Sequence, residues 1–265
     1  MVDRIVIKLG GGLITDKANS KSFDISKMDS VSGVISELHG LGISVVIIHG
    51  AGSYGHILAK KWSIAEGLDR EIHTEQKIAV SQIREDMREL NSLVIESLLR
   101  TGLECESLPP SNWAIGTGND FKGDLDVFER SPSHPIPVTF GDVVDTEDGA
   151  EFGILSGDDL MLRISRELSC VTHSIFLMGD SAGVMDKPPT EKGATLLTTC
   201  SPSNMFQSAH YSDIDVTGGI ALKVERAFQI SKDVNEVWIM DGREPTRILE
   251  LVRSGKTIGT KILPS

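Results

Sequence analysis

Residues Ile43-Ser44-Val45-Val46-Ile47-Ile48-His49-Gly50-Ala51-Gly52-Ser53-Tyr54-Gly55-His56 decide how this chain reads. A short, nearly continuous β-branched run passes directly into a glycine-rich loop. Such runs fit strands of a parallel sheet covered on both faces. In open α/β sheets, ligands bind where strands end at their carboxyl termini. The same arrangement occurs at the N-terminus, where Arg4-Ile5-Val6-Ile7-Lys8-Leu9 runs into Gly10-Gly11-Gly12. Between the two runs, residues 26–41 place Met28, Val31, Val34, Ile35 and Leu38 at helical spacing, and Gly40 and Gly42 end the pattern. A long helix is predicted over 74–100, with shorter ones over 160–168, 220–231 and 247–253. Strands are predicted over 43–48, 136–140, 153–155, 174–178 and 236–240, with 260–262 at the C-terminal end. Strand–helix alternation of this kind predicts an α/β fold, a three-layer αβα sandwich with a largely parallel central sheet. Residues 119–126 and 186–192, charged and rich in Gly or Pro, read as exposed loops. There is no internal repeat, and no linker separates independent domains.

The chain has 265 residues, of which 40% are hydrophobic and 24% charged, an ordinary globular balance. Against 26 Lys and Arg stand 38 Asp and Glu, a net charge of −12. That acidity argues against nucleic acid as a partner, which requires a basic face. An anionic ligand must instead be held by a local cluster of positive groups. Cys105, Cys170 and Cys200 are scattered, with neither zinc spacing nor a disulfide framework. They read as reduced thiols. The longest apolar run, 43–48, is far too short to span a bilayer, and the N-terminus lacks a signal-peptide pattern. The expectation is a soluble cytoplasmic protein with no membrane partner.

Four glycine loops follow apolar runs: Gly10-Gly11-Gly12, Gly50–Gly55, Ser156-Gly157-Asp158-Asp159 and Thr217-Gly218-Gly219. Glycines there let backbone N–H groups approach a phosphate closely. Gly50–Gly55 matches G-x-G-x-x-G, but no strand ending in an acidic residue follows at the required distance, so a dinucleotide fingerprint is rejected. Ser254-Gly255-Lys256-Thr257 resembles the end of a P-loop, yet Glu250 stands where its first glycine belongs, and a surface turn is the better reading. Lys8 closes a buried strand beside three glycines. A buried lysine needs an anionic partner, and phosphate is the natural one. Lys17 lies beyond the same loop, and spacing alone says less about it. His56 follows a glycine turn at a helix start, where it can grip an anion or be a hydrogen-bonded structural histidine.

These loops, read in order, resemble the amino acid kinase superfamily, and within it the isopentenyl phosphate kinase family. The matching stretches are residues 8–17, 49–56, 140–143, 153–159 and 215–220, with Lys223, and they cover nearly the whole chain. The specific signal is Gly52-Ser53-Tyr54-Gly55-His56. The resemblance implies one amino-acid-kinase-type domain over 1–265. A lobe over about 1–168 takes the phosphoryl acceptor, and one over about 169–265 takes the nucleotide. It implies that ATP is held by Lys8, Gly10, Gly11, Gly12, Gly52, Asp180, Gly219 and Lys223. Isopentenyl phosphate is held by Ala51, His56 and Gly157. Lys17, Lys8 and His56 are the catalytic set, with Lys17 stabilising the transferring phosphoryl. Mg²⁺ accompanies ATP without a protein cage, and the assembly is a homodimer. The helix over 74–100 is implied as the wall of an apolar pocket. Ile78, Val80 and Ile83 are its candidates, with core packing as the default for each. Gly12 replaces the family's usual serine, and Ala182 stands where some members carry a second aspartate. The activity implied is phosphorylation of isopentenyl phosphate to the diphosphate. Fosfomycin-type phosphonate kinases and nucleotide sensors on the same fold are the alternatives. Amino-acid kinases are a further one, but they call for pocket cations where this helix offers apolar residues.

Overall fold

The computed structural model describes residues 3–16, 19–205 and 219–264. Its strands are β1 (Arg4–Leu9), β2 (Ser44–His49), β3 (Cys105–Ser107), β4 (Ala114–Ile115), β5 (Lys122–Gly123), β6 (Ile136–Phe140), β7 (Asp142–Asp145), β8 (Phe152–Leu155), β9 (Val171–Met178), β10 (Thr199–Cys200), β11 (Glu236–Asp241) and β12 (Thr260–Ile262). Its α-helices are α1 (Gly11–Ile14), α2 (Ile25–Gly40), α3 (Gly52–Lys61), α4 (His73–Leu99), α5 (Gly157–Glu167), α6 (Pro202–Met205), α7 (Gly219–Ile230) and α8 (Arg247–Ser254). Among the described residues an eight-stranded sheet runs β10-β12-β11-β9-β1-β2-β6-β3. The pairs β1–β2, β1–β9, β9–β11, β2–β6 and β3–β6 are parallel, and β11–β12 is antiparallel.

The period of a strand sorts its side chains between two cores. Ile5, Ile7 and Leu9 of β1 join Ile47 and the inner stripes of α2 and α4, including Met28, Ile35, Met87 and Leu90. Val6, with Val46 and Ile48, joins Leu160, Ile164, Val224 and Ala227 of α5 and α7 on the other face. Lys8 shares the parity of Val6, so it emerges beneath α5 and α7. At the carboxyl end of β1 this places an ammonium under two helix starts.

The long elements lie close to where periodicity puts them. A smaller sheet, β5-β4-β7-β8, is not visible in the sequence because two of its strands are two residues long. It corrects the reading of 119–126 as an exposed loop. Phe121 and Leu125 are buried there, and Trp113 meets Phe121 and Phe128 edge-on. The N-terminus of α5 also begins earlier than the apolar pattern suggests. Ser156 Oγ accepts the Asp159 N–H at 3.1 Å, an N-cap that draws Gly157 and Asp158 into the helix. Ser254-Gly255 is a helix stop, with Gly255 left-handed at φ 69° after α8.

Candidate active site

Three chain crossings meet above β1. The loop after β1 packs backbone to backbone on the loop after β2: a Cβ on Gly11 would lie 2.4 Å from the Gly52 nitrogen. Gly52 itself has φ +50°, and a side chain there would strike Thr15 Oγ1. These glycines are therefore required by close approach, before any ligand is considered. The Thr15 hydroxyl donates to the Gly11 carbonyl and accepts from Ser53 N–H, joining α1 to the start of α3. Ala51 supplies no capping side chain to α3, so the positive end of that helix faces the junction.

A cavity of about 410 Å³ opens over these loops. Its floor is Lys8 with Gly10, Gly11 and Gly12, and Gly157, Gly219 and Lys223 stand beside it. Ala51, Gly52 and His56 line it from α3, and Gly179, Asp180 and Ser181 from the turn after β9. Its apolar lining includes Ala59, Ile83, Met87, Val143 and Ile154.

The electrostatics of the floor are unbalanced. Lys8 Nζ pairs with Asp158 Oδ1, and Lys223 Nζ reaches the same oxygen at 3.1 Å. All three groups are buried. Burial lowers the Lys8 pKa to about 7, against the attraction of Asp158 and with the repulsion of Lys223. Burial also opposes ionisation of Asp158, but Lys223 and Lys8 overcome it and hold the carboxyl at about 2. Two ammoniums thus share one carboxylate. Arg226 does not neutralise this excess, because its Nε donates to the neighbouring Asp159 at 2.7 Å. A phosphate would supply the missing negative charge.

The model of the family described as "Amino acid kinase family" matches residues 3–241. The chain belongs to that family. It is 29% identical over 260 residues to isopentenyl phosphate kinase of Thermoplasma acidophilum, covering 97% of this chain and 99% of the relative. It is 28% identical over 265 residues to isopentenyl phosphate kinase of Methanothermobacter thermautotrophicus, covering 97% and 98%. The fold superposes on the crystal structure of the T. acidophilum isopentenyl phosphate kinase product complex with a TM-score of 0.80 at 27% identity, covering 98% of this chain and 99% of that one.

Within this amino acid kinase fold, the cavity gathers Lys8, Gly10, Gly11, Gly12, Ala51, Gly52, His56, Ile83, Gly157, Asp180, Gly219 and Lys223 of the residues singled out from sequence. Lys17, and Asp215, Val216, Thr217 and Gly218 of the nucleotide loop, lie outside the described residues. Val80 is buried in the core and is not among the lining residues. Ile78 faces away, 67% exposed. The positions of α4 that reach the cavity are Ile83 and, one turn on, Met87.

Sequence reasoning missed Asp158 and Met87. Asp158 stood inside a quoted motif, but its partners are some 150 and 65 residues away in the chain. Met87 had only the helical spacing of a core residue. It lies under Gly55, where an added Cβ would come 3.2 Å from its sulfur. No signal in the sequence marks Met87 as a lining residue. The charge of Asp158, in a segment headed for burial, could have marked it.

Proposed function

We propose that the protein transfers the terminal phosphoryl group of ATP to isopentenyl phosphate, giving isopentenyl diphosphate and ADP. The observation that carries this is one cavity with two kinds of wall. Lys8 and Lys223, sharing Asp158 among glycine loops, suit phosphates. Ala59, Ile83, Met87, Val143 and Ile154 suit a short hydrocarbon tail. The named relatives, isopentenyl phosphate kinases matched over nearly their whole length, support the same reading.

The acceptor phosphate is already a competent nucleophile, so the task is placement and charge stabilisation. Lys8 lies at the carboxyl end of β1, between the glycine loop and α5, and contacts the oxygens of the transferring group. Lys223 holds the nucleotide phosphates from α7, and Asp158 keeps the two ammoniums apart and aimed at the cavity. Gly10, Gly11, Gly12, Gly52 and Gly219 bring backbone close to ATP, with Asp180 at its rim. Ala51, Gly157 and His56 receive the substrate phosphate at the positive end of α3. Lys17 stabilises the phosphoryl group in flight. Among the described residues no cluster of three or more His, Cys, Asp or Glu side chains forms a metal cage. Mg²⁺ would be held by phosphate oxygens and water, and would screen their charge.

The acceptor lies on the lobe over about 1–168 and the nucleotide on that over about 169–265, in a homodimeric cytoplasmic enzyme. Among the described residues no helix is long and apolar enough to cross a membrane. The test is ADP release with isopentenyl phosphate, dimethylallyl phosphate, fosfomycin, aspartate and acetylglutamate. Turnover with isopentenyl phosphate well above the others is expected. Preference for a carboxylate acceptor, or nucleotide binding without turnover of any acceptor, would overturn the proposal.

A further inference from the structure

A second charge cluster lies outside the cavity, between the segment after β1 and α4. Thr15 and Phe23 pair as an antiparallel bridge, and Asp16 N–H donates to the Ser22 carbonyl at 3.1 Å. They close a hairpin whose described residues are 15–16 and 19–23; Lys17 falls between them in sequence and lies outside the described residues. The hairpin is tied to α3 by Ser53, whose N–H donates to Thr15 Oγ1 and whose Oγ accepts the Ser22 N–H at 3.2 Å. It is tied to α4 by Lys21, whose Nζ lies 2.8 Å from Asp86 Oδ1 and 2.7 Å from Glu89 Oε2.

Three features separate this contact from an ordinary surface ion pair. Asp86 is only 4% exposed, and Gln82 Nε2 donates to it at 2.7 Å, so its carboxylate is fixed before Lys21 arrives. Lys21 has φ +51°, a left-handed conformation uncommon for a non-glycine residue. Lastly, Asp86 is the neighbour in sequence of Met87 and lies three residues after Ile83, the two α4 positions that line the cavity. The pocket wall and the hairpin are thereby joined through one side chain.

We propose that Lys21, Asp86 and Glu89 form a clamp that fixes residues 19–23 against α4 and so restrains the chain segment from which Lys17 acts in phosphoryl transfer. This rests on the kinase reading above, in which Lys17 stabilises the moving phosphoryl. Lys21 and Asp86 are positioning residues in this scheme, since their effect on the reaction passes through Lys17. Hydrogen bonds to Asp86 and Glu89 hold the Lys21 ammonium above the usual lysine pKa, so the clamp stays charged through the neutral range.

The test uses Lys21→Met, Lys21→Arg and Asp86→Asn in the full-length protein, alone and combined with Lys17→Ala. Lys21→Met and Asp86→Asn should lower kcat on the order of tenfold while KM for ATP stays within about twofold, and Lys21→Arg should recover most of the loss. Hydrogen exchange over residues 19–23 should quicken in Lys21→Met with the central strands unchanged. In the Lys17→Ala background Lys21→Met should add nothing further. Multiplying losses in that background, or unchanged exchange over the hairpin, would overturn the clamp. Asp86→Asn, nearly isosteric, carries the same measurements should Lys21→Met fail to fold. An unmutated protein that does not phosphorylate isopentenyl phosphate would overturn the functional reading instead, and hydrogen exchange alone would then decide whether the hairpin is clamped.

Discussion

One lysine cluster lies at the cavity floor and another outside it against α4, and their charge ledgers are opposite. At the cavity floor two ammoniums, Lys8 and Lys223, share the single carboxylate of Asp158. At the hairpin one ammonium, Lys21, faces two carboxylates, Asp86 and Glu89. Burial drives the Lys8 pKa down to about 7, whereas hydrogen bonds to its two partners drive that of Lys21 up. The first cluster is incomplete until an anion arrives, and the second is complete in the free protein. A surplus of buried positive charge thus marks a binding site, and a surplus of acceptors around one lysine marks a fastening. A count of salt bridges would score the two alike.

The largest effect that tests this contrast is catalytic. Lys8→Met should lower kcat/KM for isopentenyl phosphorylation on the order of 10²–10³-fold, as for other lost transition-state donors. Steady-state kinetics checks it, and a loss no greater than that of Lys21→Met would erase the distinction. Next comes His56→Ala. It should lower kcat/KM for isopentenyl phosphate about 10- to 100-fold, the scale of a lost charge-assisted hydrogen bond, with affinity for an ATP analogue nearly unchanged. Calorimetric titration of each ligand separates the two. Equal weakening of both would make His56 structural.

How much of this was legible beforehand depends on range. Strands such as Ser44–His49 and Ile136–Phe140 announce themselves, because a parallel strand buried on both faces is dominated by apolar, largely β-branched side chains. Lys8 was legible for the converse reason, a charge in a segment that had to be buried. The start of α3 was hidden: Gly52-Ser53-Tyr54-Gly55 reads as a loop, and only contact with Thr15 and Met87 makes glycine the residue that fits a helix there. The cluster at Asp158 was hidden more deeply. Its three members come from β1, α5 and α7, and no local pattern records that they meet. Val80 and Ile83 show the limit of periodicity. Both belong to the buried stripe of α4, but which of them meets the cavity depends on where α3 crosses.

A third effect follows from the Lys8 pKa. In the free site it is about 7, so near pH 8 the amine is mostly neutral. Anionic ligand raises it, and binding then takes up a proton. Affinity for a non-hydrolysable ATP analogue should therefore fall as pH rises above 7, by about tenfold at most per pH unit. Asp158, held at about 2, remains ionised throughout and contributes no slope. Calorimetry in two buffers of different ionisation enthalpy measures the uptake directly. Lys8→Met should abolish it and Lys21→Met should leave it intact. Equal uptake in Lys8→Met would mean that the surplus charge lies elsewhere.

The smallest effect concerns stability without ligand, and here the two clusters should respond with opposite sign. Lys8→Met keeps the length of the side chain and leaves Asp158 with Lys223, one charge for one. Removing one charge of a buried pair is costly when it strands the partner, but here Asp158 keeps Lys223 as its partner and only the surplus charge is lost. The pH dependence fixes the sign. Lys8 binds its proton less tightly in the folded protein, at about 7, than in the unfolded chain, at its ordinary 10.5. Between those values the unfolded chain carries the extra proton, so this group makes stability rise with pH, and its penalty is greatest below 7. Lys8→Met removes that penalty. Its melting temperature at pH 6.5 should match or exceed that of the unmutated protein by about 2–4 °C, the shift expected for a gain near 1 kcal/mol in a chain of this size. The gain should shrink as pH rises towards 9. Lys21→Met leaves the buried Asp86 without its ammonium, so it should melt lower at both pH values. Scanning calorimetry of the two variants, at pH 6.5 and 9 without phosphate in the buffer, makes the comparison. A Lys8→Met protein that melts several degrees lower at pH 6.5 would show that the floor is balanced in the free state, and the inference from surplus charge to bound anion would fail with it.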